Sequence, residues 1–146
     1  MRFALSLLLL FAATVSLAEE IRVPIRITRV KDGDTLTADV LLPWNVTLRD
    51  EDIRESTYDA WESRRGRGGI VITDEELVKG KQAAKDLAEL FRDKKAYVGV
   101  SDDSKRDSFG RLLGKFWAFD TVNSKWIDVH EYMDARGHFR HDPEPK

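Results

Sequence analysis

Apolar residues alternate with charged ones from Ile21 to Val30, with Ile21, Val23, Ile25 and Ile27 on one side of an extended chain. A period of two predicts a strand. Lys31-Asp32-Gly33-Asp34 follows as a turn, since Asp-Gly favours a tight hairpin. Thr35 to Leu42 resumes with β-branched residues and leucine, a second strand. Pro43-Trp44-Asn45 breaks it, with Val46 to Leu48 as a continuation, and Ile53 to Tyr58 is a third short strand. Arg64 to Gly69 is basic and glycine-rich, a loop. Thr73 precedes Asp74-Glu75-Glu76, which predicts a helix capped by Thr73 with Glu76 three residues on. Its apolar face is Leu77, Ala84, Leu87, Ala88 and Phe91, and it ends near Arg92-Asp93. Ala96 to Val100 and Gly110 to Phe119 read as strands around a polar loop at Ser101 to Ser108. A second helix is predicted from Trp126 to Ala135, with Gly137 beyond its end. Residues 138–146 carry two prolines and read as a loose tail.

The order β-β-β-α-β-β-α predicts a mainly β (α+β) chain. A curled antiparallel sheet with helices packed on it is the natural form, and an OB-type barrel is one such shape. Trp44, Trp117 and Trp126 are expected in the core or at its edge. The 146 residues suggest one domain, long enough to bury a core without crosslinks. Hydrophobic residues make up 42% and charged residues 34% of the chain, as in ordinary soluble domains.

The first residues change the picture of where the chain works. A basic start at Arg2, an apolar run to Val15 and small residues in Ser16-Leu17-Ala18 form a signal-peptide pattern, cut before Glu19. The run is shorter than the roughly 20 residues of a spanning helix. Residues 1–18 are thus expected to be a signal peptide and 19–146 the mature domain, secreted or periplasmic. No stable membrane association is expected after cleavage. The chain has no cysteine, which excludes disulfides, thiolate zinc sites and thiol nucleophiles. The formal charge is -2, so polyanion binding would rest on local patches. Arg64-Arg65-Gly66-Arg67, Lys79 with Lys81 and Lys85, Lys105-Arg106, and Arg136 with Arg140 are such patches.

Three segments carry candidate chemistry. Asp32-Gly33-Asp34-Thr35 is a turn on its own, and its second reading makes Asp34 a hard oxygen ligand for a divalent cation. Arg54, Asp59 and Glu62 fall within one short strand-and-loop stretch, as a surface ion pair or as one site. Arg111 follows Gly110 at a strand start, either an ordinary loop arginine or one placed to reach a phosphate. Together and in this order, the segments resemble the staphylococcal-nuclease (thermonuclease) family from about Val23 to about Phe139. That pattern runs Asp-Gly-Asp-Thr, then Arg followed by Asp-x-Pro-Glu, then Tyr-Gly-Arg.

The resemblance implies an OB-fold five-stranded barrel with two packed α-helices. It implies a calcium ion held by Asp34, Asp59 and the backbone carbonyl of Ala60, and catalytic roles for Arg54, Glu62 and Arg111. Lys105, Ser108 and Phe109 are the candidate substrate contacts. The implied activity is calcium-dependent endonucleolytic hydrolysis of DNA and RNA, with little sequence preference, by a monomer. Trp61 stands in place of the pattern's proline, and Ala60 in place of its threonine. Ser108 and Phe109 stand where the pattern's best-known member offers lysine and tyrosine to a terminal phosphate. A non-catalytic nucleic-acid- or protein-binding module on the same barrel is the alternative, and a calcium-dependent sugar-binding barrel is a third. His130, His138 and His141 fit no zinc spacing and are expected to pack or lie on the surface. Phe109, Phe139 and Trp61 could stack on bases, with packing favoured for Trp61.

Overall fold

The computed structural model describes residues 20–65, 71–101 and 104–140. The expected signal peptide, His141 and the last residues of the expected tail lie outside them. The described strands are β1 (Ile21–Asp32), β2 (Thr35–Leu41), β3 (Thr47–Glu55), β4 (Lys95–Val100), β5 (Leu112–Asp120) and β6 (Lys125–Asp128). The helices are α1 (Asp74–Arg92) and α2 (Val129–Asp134).

The hairpin expected at Asp-Gly forms: Asp32 pairs with Thr35 across a two-residue loop. The strands pair in the order β3-β2-β1-β4-β5-β6, and β3 also pairs with β5. That extra pairing closes a five-stranded barrel. It is the parallel seam, with Ile53, Arg54 and Glu55 opposite Leu112, Leu113 and Gly114. The edge of β5 is shared, its first half taken by β3 and its second half by β6. The fold is therefore mainly β with two helices, an OB-type barrel, as the element order implied.

Alternation decides what fills the barrel. Leu36, Ala38, Ile53, Val98, Phe116 and Ala118 point inward and are buried. Helix α1 begins as expected, with Thr73 and Glu76 satisfying each other's exposed backbone groups in a capping box, a device whose cap is worth about 1 kcal/mol. Its buried face differs from the sequence expectation. It is Gly80, Ala83, Leu87 and Leu90, while Ala88 is exposed. Small residues let the helix press against the barrel. A Cβ on Gly33 would lie 2.7 Å from the Cβ of Ala83 and 2.8 Å from that of Ala60.

Four further expectations are corrected. Thr47 opens β3 rather than continuing β2, because the turn at Pro43–Asn45 folds it back onto Leu41. Residues 125–128 form β6 instead of the start of a helix, because Trp126 pairs with Phe119. Trp44 is 93% exposed at the tip of that turn, and Trp117 and Trp126 stand on the outer face of the barrel. Residues 138–140 are not loose. His138 is buried and bonded to Asp86 at 2.6 Å, and Phe139 pairs with Ala60.

Candidate functional site

The β1–β2 hairpin, the end of β3 and the loop after it meet at one mouth of the barrel. Asp34 sits at the hairpin tip and is 4% exposed. One carboxylate oxygen accepts from the Ala60 N–H at 2.8 Å, and the other from the Thr35 hydroxyl at 2.8 Å. Arg54 stands opposite Thr35 in the β2–β3 register. Its guanidinium donates to Asp34 at 3.2 Å and also to Asp59. One planar fork therefore ties the buried carboxylate to an exposed one. The Tyr58 hydroxyl donates to the Gly33 carbonyl at 2.8 Å and pins the loop to the hairpin.

Glu62 joins this group through the field rather than through a hydrogen bond. Burial lifts its carboxyl above the ordinary range, and the charges of Asp32 and Asp34 add to the lift. Arg54 and Arg140 oppose it. The Asp34 carboxyl is raised as well, by burial, against the pull of the Ala60 N–H and of Arg54. Burial would lower the Arg54 guanidinium, but the charge of Asp34 and the bond to Asp59 hold it up. A raised carboxyl makes Glu62 a stronger proton acceptor than an ordinary carboxylate.

Arg111 is placed by the barrel seam. Leu113 lies beside Arg54 in parallel register, so Arg111 stands two residues earlier on the neighbouring strand line. Strand spacing and rise put its Cα about 8 Å from that of Arg54. Alternation directs both side chains outward. Arg111 is held by Asp107 at 2.7 Å, and its guanidinium lies 5.3 Å from the Phe109 ring centre. A groove beside Arg54 is lined by Ser56, Thr57, Asp59 and Leu113 and has a volume of about 270 Å³.

The structure thus brings together Asp34, Arg54, Asp59 and Glu62, with Arg111 on the adjoining outer face. Ala60 presents its N–H to Asp34. Phe109 is exposed at 83% in the turn before Arg111, and Ser108 is exposed beside it. Lys105 lies further along the seam, where its carbonyl accepts from the Leu113 N–H at 2.9 Å. Phe139 is not free to stack on a base, since it stacks on Tyr58 at 4.7 Å. Several of the basic patches are already engaged. Arg64 pairs with Asp32, Arg65 with Asp74, Lys79 with Glu75 and Arg106 with Glu51.

Two contributors carry no sequence signal near the motif. Arg140 donates its backbone N–H to the Asp59 carbonyl at 2.8 Å and lines a crevice with Glu62 and Trp61. It arrives through the Ala60–Phe139 pairing. Gly80 lets α1 lie directly on the main chain of Glu62 and Ser63, where any Cβ would collide.

The donor set is oxygen-only, and Asp34 is a buried acid that a hard cation would favour in its ionised form. Among the described residues no group of three or more His, Cys, Asp or Glu side chains is arranged to hold a metal ion. An ion taking both Asp34 and Asp59 competes with Arg54 for their oxygens. The class that fold and site define is an OB-type barrel whose mouth carries acids bridged by a guanidinium. No family model and no curated protein matches the chain.

Proposed function

We propose that this barrel mouth hydrolyses phosphodiester bonds in DNA and RNA, in the manner of the thermonuclease family that the sequence resembles. One observation carries the reading. Asp34 on the hairpin and Arg54, Asp59 and Glu62 on one strand-and-loop run act on one another at one mouth, and Arg111 stands on the neighbouring strand line.

In this reading Arg54 and Arg111 present forked donors to the non-bridging phosphoryl oxygens, where negative charge grows. Glu62 accepts a proton from a water as its oxygen bonds to phosphorus. The opposite P–O bond breaks, and the departing oxygen takes up a proton. Asp34 and Asp59 are the residues that would hold a calcium ion, which when bound supplies further positive charge to the phosphoryl group. Gly80 and Tyr58 keep Glu62 and the hairpin in place. The groove beside Arg54 offers room for the part of the nucleotide next to the scissile bond.

The same geometry favours a second reading in one respect. Arg54 already neutralises Asp34 and Asp59, as a purely structural ion pair would. A binding module without catalysis would keep this arrangement. Calcium-titrated digestion of circular DNA separates the two. The nuclease reading expects nicking and linearisation that depend on calcium and stop on chelation. Binding of DNA with no strand cut in excess calcium selects the module.

A further inference from the structure

The outer face of β4, β5 and β6, away from the barrel mouth, is built from aromatic and basic side chains with two acids among them: Glu20 accepts from the Trp117 indole at 2.7 Å and Asp128 pairs with Lys115 at 2.6 Å. The register sets them in rows. Tyr97 stands beside Trp117, and Lys95 beside Phe119, which in turn stands beside Trp126. The inward positions of the same strands, Ala96, Val98, Phe116 and Ala118, fill the core. The outer rings are therefore not needed inside the barrel. They touch each other, with Trp126 4.9 Å from both Tyr97 and Phe119. Cations lie over them. The Arg22 guanidinium is 3.7 Å from the Trp117 ring centre and 4.4 Å from that of Trp126, and the Lys115 ammonium is 4.5 Å from Trp117.

A pocket of about 460 Å³ opens next to this face. Arg26, Lys94 and Lys95 line it together with Tyr97 and Phe91, and no carboxylate does. Arg26 is tied to Asp39 at 2.5 Å, and Lys94 reaches Asp120 only at 3.9 Å. Lys95 is exposed and has no ion-pair partner among the described residues. The pocket is therefore suited to anionic groups, and the rings beyond Tyr97 are suited to flat apolar ones.

We infer that this face binds single-stranded nucleic acid, with phosphates in the Lys94–Lys95 pocket and bases on the Tyr97–Trp126 platform. Cationic grooves and ring platforms are the two elements that single strands need, because every base offers a flat face and every linkage a charge. A duplex hides its base faces and gains only the charge term. Helix α1 leads from this surface to the proposed cleavage site. Gly80 touches Glu62, and Phe91 lines the pocket about 16 Å further along the helix axis. The role of this face in feeding substrate rests on the nuclease reading, whereas the binding itself does not.

The test measures affinity for a labelled single-stranded oligonucleotide by fluorescence anisotropy, in the full chain carrying Glu62→Gln so that no strand is cut. Lys95→Glu and Trp126→Ala each weaken binding by roughly tenfold. Lys95→Glu also flattens the salt dependence, whereas Trp126→Ala leaves it in place. Trp126→Phe, which keeps a ring, restores most of the affinity and controls for loss of fold. In the chain with Glu62 intact, neither Lys95→Glu nor Trp126→Ala changes the rate on a small aryl phosphodiester, which needs only the barrel mouth. Oligonucleotide affinity unchanged in both variants overturns the inference, as does duplex bound as tightly as single strand. No hydrolysis of the small diester, with oligonucleotide affinity still falling, removes the nuclease reading and leaves this one standing.

Discussion

Asp34 and Glu55 are both buried acids, 4% and 2% exposed, and burial raises the carboxyl of each. Their partners differ. Glu55 sits inside the barrel at the β3–β5 seam. It accepts from the Phe116 N–H at 2.6 Å, and from the N–H and hydroxyl of Thr57 at 2.9 Å each. One donor lies on β5 and the other two on Thr57, in the loop just after β3, and all are uncharged, so its oxygens are satisfied where they stand. Asp34 takes two donors from its own hairpin and loop, but the next is Arg54, and Arg54 leads to the exposed Asp59. One acid closes the structure, whereas the other hands its charge outward to solvent. Burial alone does not mark a reactive group; the direction in which its partners lead does.

The largest effect that tests this contrast is at Glu62. Glu62→Gln removes the proposed proton acceptor but little packing, so the nuclease reading expects diester hydrolysis to fall about 10²–10⁴-fold. Thermal unfolding should barely move. Arg54→Ala comes next. It lowers the rate about 10²–10³-fold and costs about 1–3 kcal/mol of stability, because Asp34 loses its charged partner. Glu55→Ala inverts that ratio: about 1–3 kcal/mol lost in denaturant unfolding, from donors left unpaired, with a far smaller loss of rate per folded molecule than Arg54→Ala gives. Equal loss of rate in the Glu55 and Arg54 variants would erase the distinction between the two acids.

Smaller still is Gly80→Ala. In an open helix this change gains up to about 1 kcal/mol, but here the new methyl displaces the Glu62 main chain. The rate should fall on the order of tenfold, since small misplacements of reacting groups are costly, and the helix should remain. Steady-state kinetics beside circular dichroism checks both halves.

The smallest effect is in pH. In the folded state Glu55 holds its proton to higher pH than in the unfolded chain. Its stabilising contribution is therefore present in acid and lost as pH climbs from the ordinary carboxylate range through the raised folded value. Asp39 is depressed, first by its bond from Arg26, and Asp52, first by its bond from Lys31; both act the other way, losing stability as pH falls through their folded values. Denaturation midpoints of wild type and Glu55→Gln should diverge as pH rises above about 4, wild type losing ground. Parallel curves would show that Glu55 stays ionised in both states.

Local spacing made much of this legible in the sequence. Asp34, Arg54, Asp59 and Glu62 lie on a hairpin tip and on one strand-and-loop run, so short-range geometry nearly determines their meeting. The barrel followed from the order of strands and the Asp-Gly turn. What stayed hidden depended on distant contacts. Arg140 reaches the site only because Phe139 pairs with Ala60, and periodicity carries no trace of that return. The face of α1 was misread because its closest approach is made by Gly80 and Ala83, which a count of large apolar residues passes over. The tryptophans misled for the opposite reason. Their size suggested a core, yet Trp126 and Trp117 cover the outside of the sheet, where Arg22 stacks on them.

A double-variant cycle on Glu62→Gln and Arg111→Ala, read as hydrolysis rate on one phosphodiester, bears most directly on whether the mouth of the barrel and the seam beside it form one site. Groups that act on the same phosphate are strongly non-additive. The double variant should be little slower than the worse of the two single ones. Losses that multiply, as for independent positions, or an Arg111→Ala rate equal to wild type, would contradict a shared site.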